Sequence, residues 1–414
     1  MRFIARGLVL ILPLVILGSS ADAAVKAGGS CTKVGTKSVS GGKSHTCIKS
    51  GKKLVWDKGV VVAKPSVAKP SPTPTVSVET GASIPVQMPT SFENLAENRK
   101  GIAYAAWLKT NQVMDKSDAR IPPLRTFIGP NTKPWYTDVE KTMSAVSKAF
   151  PSAKLPANVL VLFYNFNDVS WAEEKLKTLI SAQNYSELNR NEGGHLVDSN
   201  CQTEIKDCMG AKQVTAIEGT NLGILLIGVS NNPGMVTIGG GTRGDPGTFE
   251  NNTTGQLLAH EYFHALQREE FVGKNLSRTD WPPRWVAEGS AYFIQNAVTN
   301  SGDFKKYANW RQIAVGDYIK QRGISADFVT DFMNLRHYAE DWNSFSGDWN
   351  YFLGARIVET LVSLKGPESI MSFYKLMGEG KGFEFAFKSV YGTNYEDAVP
   401  VIAKAIAENW KSKD

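Results

Sequence analysis

Histidine and cysteine are scarce in this 414-residue chain, with five of the first and four of the second. The four cysteines, Cys31, Cys47, Cys201 and Cys208, lack the spacing of a zinc knuckle, which argues against a four-cysteine metal site. They fall into two local pairs, and of the three possible pairings Cys31 with Cys47 and Cys201 with Cys208 closes the shortest loops, as two disulfides in an exported chain. Beyond the first two dozen residues there is no apolar run long enough to cross a bilayer, and there is no internal repeat. Acid is nearly missing from residues 24–70, where Asp57 stands against ten lysines. That segment carries +9 and residues 71–414 carry −4, so the overall +6 belongs to the N-terminal part alone. An apolar content of 42% excludes a disordered chain and suits one large domain with accessories.

The first residues have the layout of a secretory signal: Arg2 and Arg6, an apolar run, then Ala21-Asp22-Ala23, with cleavage expected near Ala23. The run is short for a membrane span and Pro13 interrupts it. Residues 24–59 are glycine-punctuated and lysine-rich and read as a small β-hairpin module stapled by one disulfide, with His45 solvated in it. Its charge suits contact with anionic cell-wall polymers or a membrane surface, the alternative being a soluble spacer. Nucleic acid is not expected, because the lysines come without interleaved aromatic platforms. Residues 60–90, rich in Pro, Ser, Thr and Val, read as an extended linker.

Residues 91–414 form the main domain. Helical patterns are expected over 91–112 and 136–150, with Asp138 near the start of the second, then a β-run at 157–165 and a helix at 170–182. Strands at 222–229 and 234–240 follow. From Thr254 the chain becomes mostly helical, over 254–270, 284–297, 304–320, 350–364, 367–377, 383–391 and 395–410. Strands early and helices late make an α+β pattern.

Two of the five histidines lie in "LLAHEYFHALQ". His260 and His264 are one helical turn apart, so both imidazoles leave the same face and can reach one ion of zinc size. Glu261 lies about 100° further round the helix, placed for general-base work on a water rather than for ligation. A catalytic zinc needs a third protein ligand and an open fourth position. Glu288 in "RWVAEGSAYF" supplies one, on a second helix that starts near Pro282 and Pro283 and packs through Trp285, Ala287 and Ala291. The competing interpretation is two satisfied, half-buried histidines.

The pair "HEYFHALQ" and "WVAEGSAYF" resembles the gluzincin zinc metallopeptidases, in particular the peptidase MA-like group of exported proteins. The tail "WNYFLGARIVETLVSLKGPESIMSFYKLMGEGKGFEFAFKSVYG" is similar to that group's ending. The resemblance implies a zincin-like catalytic domain with a mixed sheet before a mostly helical part. It also implies His260, His264 and Glu288 as zinc ligands, Glu261 as general base, and hydrolysis of peptide or protein substrates through a tetrahedral intermediate. The oxyanion of that intermediate calls for a side-chain donor. Tyr351, on the counterpart of the family's Tyr-bearing helix, is the first choice, with His337 and Tyr338 as rivals. There is no GxMEN-type element upstream, since "FEN" at 249–251 sits too close to the zinc helix, so aminopeptidase activity is not expected. No carboxylates that would orient His260 and His264 can be named. The glycine-rich run 237–252 lacks the Lys-[Ser/Thr] ending of a phosphate loop and reads as an edge-strand exit or substrate-side loop. His195, between glycines and Asp198, reads as a loop residue rather than a ligand. Two alternatives stand beside the peptidase: an inactive peptidase-like binding or scaffold protein at the cell surface, and a zinc amide hydrolase acting on cell-wall material.

Overall fold

The computed structural model describes residues 26–40, 43–61, 87–238, 241–244, 246–274, 276–277, 280–313, 323–336 and 347–411. The expected signal at 1–23, most of the 60–90 linker, His337 and Tyr338 lie outside the described residues. The chain divides into Met1–Val78 and Glu79–Asp414, a boundary inside the expected linker.

In the first unit, β1 (Lys37–Ser40), β2 (Lys43–Ser50) and β3 (Lys53–Trp56) form an antiparallel meander, and β4 (Val60–Val61) pairs with β2. The Cys31–Cys47 disulfide is present, tying β2 to the preceding segment. All eight described lysines of the unit are exposed, so the charge faces outward. His45 is not solvated, as the composition of the module suggested: it is 5% exposed and its Nδ1–H donates to the Asp57 carbonyl at 2.9 Å. Alternation along β2 puts residue 45 on the inward side with Cys47.

The second unit is a mixed α+β domain. A four-stranded sheet runs in the order β5 (Leu124–Ile128), β6 (Asn158–Tyr164), β10 (Asn221–Gly228), β9 (Gly210–Ile217). The first three strands are parallel and β9 joins β10 as an antiparallel hairpin. Between β5 and β6 the chain crosses through α2 (Val139–Ala149), where the Asp138 side chain caps Lys141 N–H. Between β6 and β9 lie α3 (Val169–Leu179), α4 (Ala182–Asn191) and the short hairpin β7 (Cys201–Gln202) and β8 (Asp207–Cys208), closed by the Cys201–Cys208 disulfide.

Strands β6 and β10 are apolar almost throughout because both faces of the sheet are covered. One face, with Leu160, Leu162, Ile224 and Leu226, packs on Ala172 and Leu176 of α3. The other, with Val161, Phe163, Leu225 and Ile227, joins the main core under the helices. Those are α1 (Ile102–Lys116), α2, and, after the hairpin β11 (Met235–Ile238) and β12 (Gly241–Gly244), α5 (Pro246–Thr253), α6 (Gln256–Glu269), α7 (Arg284–Thr299), α8 (Phe304–Ile313), α9 (Ala326–Met333), α10 (Asp348–Lys365), α11 (Glu368–Gly378), α12 (Phe383–Tyr391) and α13 (Tyr395–Lys411). None of the helices among the described residues is long and apolar enough to cross a membrane.

Several sequence expectations shift. The helix expected over 91–112 begins only at Ile102, because Asn94 Oδ1 takes the backbone N–H groups of Thr90 and Ser91 and offers the chain a turn instead. The helix expected over 170–182 ends at Leu179, and Ser181 caps the separate α4. The helix expected over 304–320 is described to Ile313. The glycine-rich run 237–252, expected as an edge-strand exit or a substrate-side loop, holds the end of β11, then β12 and most of the helix α5. Strands β5 and β9 were not expected at all.

Candidate metal centre

Helix α6 starts where Gly255 takes φ +84°, a left-handed conformation; a Cβ there would lie 2.6 Å from the Tyr136 ring. Its apolar side, including Leu258, Ala259, Phe263 and Leu266, is sunk in the main core beneath the sheet. The other side faces α7, which follows Pro282 and Pro283 and has Trp285, Ala287 and Ala291 buried as the spacing predicts.

Between these two helices three donor atoms meet. His264 Nε2 lies 3.1 Å from His260 Nε2 and 3.2 Å from Glu288 Oε2. His260 Nε2 lies 3.4 Å from the same carboxylate oxygen. A tetrahedron whose vertices are about 2.0–2.1 Å from its centre has edges of about 3.3–3.4 Å, so this near-equilateral triangle has the dimensions of one zinc-site face. Among the described residues it is the one group of three or more side chains that could hold a metal ion.

Each histidine is oriented through its other nitrogen. His260 Nδ1–H donates to Gln295 Oε1 at 2.8 Å, and His264 Nδ1–H donates to Gln267 Oε1 at 2.7 Å. The amide nitrogens of both glutamines are committed elsewhere: Gln295 Nε2 donates to Asn251 Oδ1, and Gln267 Nε2 to Ser290 Oγ and the Ala287 carbonyl. The amide oxygens therefore have to face the imidazoles, which fixes the proton on Nδ1 and leaves both Nε2 lone pairs aimed at the centre. The orienting groups are glutamines rather than carboxylates. A search for acids missed them, although Gln267 lies one turn after His264 and Gln295 two turns after Glu288.

The charges are strongly coupled. Burial would raise the Glu288 carboxyl, but the imidazoles of His264 and His260 override this and hold it well below the usual carboxylate range. Burial would likewise lower the His264 imidazolium, yet the Glu288 carboxylate beside it lifts it to about 9. Glu261, only 5% exposed, is pushed up by burial, with the two histidines and the Gln213 backbone amide on β9 pulling the other way. Its carboxylate lies near enough to His260, His264 and Glu288 to feel their charges and accepts from the Gln213 backbone N–H on β9.

Helices α7 and α10 cross at glycine. A Cβ on Gly289, the residue after Glu288, would stand 2.3 Å from the carbonyl carbon of Gly354. This contact brings Tyr351, one turn before Gly354, to the face that carries the three donors, where its ring stacks on His260 with centroids 5.9 Å apart. Tyr292, which the sequence reading did not single out, stands against both, 6.4 Å from the His260 ring and 6.0 Å from that of Tyr351. His195 is elsewhere, exposed and bonded to Asp198 at 3.0 Å, and every described cysteine is in a disulfide. No family model matches the chain, and neither a curated protein nor a solved structure matches it.

Proposed function

We propose that the chain is an exported zinc-dependent metallopeptidase of gluzincin type, built on a zincin-like domain. The observation that carries this is the triangle of His260 Nε2, His264 Nε2 and Glu288 Oε2 with sides of 3.1, 3.2 and 3.4 Å, next to the buried carboxylate of Glu261. At these separations the repulsion of three electron-rich atoms is relieved in two ways: by a proton on His264 facing Glu288 in the metal-free protein, or by a cation held among all three. A zinc ion there supplies Lewis acidity, drawing the pKa of a water towards 7 and polarising a carbonyl.

The remaining work falls to the chain. Glu261, whose affinity for protons is raised by burial, accepts a proton from the attacking water and returns it to the departing amine. Tyr351, stacked on His260, donates its phenol hydrogen to the oxyanion that forms as the carbonyl is attacked. A peptide is the favoured substrate because β9, the edge strand, runs beside α6 with one edge free of any strand neighbour among the described residues. An extended substrate can pair with that edge through its own backbone. The exposed lysines of the N-terminal module suit attachment to anionic wall polymers or lipid head groups.

Replacing Glu261 by Gln should leave bound zinc intact and lower hydrolysis by about 10²–10⁴-fold. Replacing His264 by Ala should remove the metal. Equal cleavage by Glu261→Gln and wild type, or equal zinc content in His264→Ala, would refute the assignment. A screen of peptide mixtures against wall fragments, with and without chelator, separates it from an amide hydrolase of the wall.

A further inference from the structure

Tyr292 also lines a shallow, solvent-open cleft together with Tyr307, Trp310, Arg311, Arg356 and Glu359. Tyr292 is the shared wall, its ring 6.4 Å from His260 and 4.9 Å from Trp310. The cleft contains two guanidinium groups and one carboxylate. Glu359, with its side chain 3% exposed, is fully engaged: Arg311 grips both of its oxygens at 2.8–2.9 Å and the Tyr307 hydroxyl donates to one of them. Arg356 shares that carboxylate. Its Nη2–H donates to the Arg311 carbonyl, while Nη1, ion-paired with Glu359 Oε2 at 3.5 Å, is buried without a hydrogen bond among the described residues. Trp310, 5% exposed, lines the same cleft, and its indole N–H is also buried, with no hydrogen-bond partner among the described residues.

Two arginines sharing one buried carboxylate leave the described residues of the pocket at +1 and Arg356 Nη1 short of a hydrogen bond, a balance that an anion would complete. We propose that this cleft is a subsite for a carboxylate of the substrate, held by Arg356 Nη1 and Trp310 Nε1. The carboxylate belongs either to an acidic side chain or to a free C-terminus, within reach of the scissile bond because one aromatic ring separates the cleft from His260. As a statement about a peptide substrate it rests on the peptidase reading. It makes the protein selective for acidic peptides, since an amide in the same place leaves the net +1 of the two arginines and Glu359 unbalanced.

The test uses full-length Glu261→Gln protein loaded with zinc, which cannot turn over what it binds. Fluorescein-labelled heptapeptides identical except for Glu or Gln at each position in turn, with free or amidated C-termini, are titrated by anisotropy. Binding should favour the acid by about tenfold or more at one place. A Glu-over-Gln preference identifies a side chain, and a free-over-amidated preference identifies the terminus. Adding Arg356→Gln should bring the preference within about twofold, and Trp310→Phe, which removes one N–H and little volume, should reduce it severalfold. Circular dichroism reports folding, and Trp310→Phe decides if the arginine variant does not fold. Equal affinity for acid and amide, no binding of any peptide, or a preference that survives in the folded variants overturns the subsite. Wild-type cleavage of the same peptides is scored separately. Absence of cleavage with the acid preference intact removes the peptidase reading and keeps the subsite, and cleavage without the preference does the reverse.

Discussion

Gly289→Ala probes the junction on which the centre is built. The added methyl would stand 2.3, 2.6 and 2.7 Å from the carbonyl carbon, carbonyl oxygen and Cα of Gly354. Carbon contacts settle at about 3.5–4.0 Å, so α7 and α10 must part or roll by more than about 1 Å at the crossing. All three obstructing atoms are backbone, and no rotamer change can absorb the clash. Overpacking of this kind costs typically 1–3 kcal/mol, and the upper end applies here. Alanine returns about 1 kcal/mol through its better helix propensity, leaving a net loss of about 2 kcal/mol. In a domain of this size that lowers the melting temperature by about 3 °C. The local effect is sharper. Glu288 is the neighbouring residue, and a metal site tolerates displacements of about 0.2 Å, so zinc affinity should fall along with stability. Thermal melts of metal-free and zinc-loaded protein, with zinc content measured after dialysis, read both effects. A variant that melts at or above wild type and retains zinc equally would refute the close crossing and the placement of Glu288 beside it.

Gln295→Leu removes the acceptor for His260 Nδ1–H and should weaken zinc binding by about 10–100-fold, measured by competition with a chelating dye; unchanged affinity would mean the glutamine does not orient the ring. Gln267→Leu should cost stability in addition, because it removes two further buried hydrogen bonds, to Ser290 Oγ and the Ala287 carbonyl, a difference visible in urea denaturation. Metal-free protein should lose stability as pH rises. The His264 pKa moves from 6.5 when unfolded to about 9 when folded, so its contribution is complete below about pH 6.5 and gone above about pH 9. Zinc-loaded protein should show the opposite trend over the acidic part of that range, where protons compete for the imidazoles; parallel curves for the two forms would exclude the His264–Glu288 pairing.

The parts of this molecule that could be read from sequence are those whose physics is local. The α6 and α7 donors follow from helical spacing within two short segments, and the disulfides from proximity along the chain. Strands β6 and β10 declare themselves by continuous apolar runs, since both of their faces are buried. The edges of the sheet do not. Residues 124–128 form a strand with no residue fully buried, and in residues 210–217 only Val214 and Ala216 are. Such strands are held by backbone pairing with a neighbour that the sequence does not identify. The same holds for the Gly289–Gly354 crossing and for Tyr292. They acquire meaning only when α10, some sixty residues later in the chain, is laid across α7.

The choice of glutamine to orient the histidines has an electrostatic consequence. With a dication in place, the charges of Glu288 and Glu261 sum with it to zero, and the two neutral amides leave that sum unchanged. Carboxylates at positions 267 and 295 would take the same buried volume to −2. Each uncompensated charge there is expensive in a medium of low effective dielectric. The excess would be relieved by protonation, and Glu261, already raised by burial and with no bond to the metal, is the group that would take up the proton. A general base that is protonated at neutral pH is inactive. With Glu261 as the proposed base, neutral orienting groups add no further upward push to a carboxyl that burial already raises, and Gln295→Glu should accordingly shift the acidic limb of the pH–rate profile to higher pH. Direct measurement of that limb in wild type and variant decides the point: coincident limbs would show that the amides serve geometry alone.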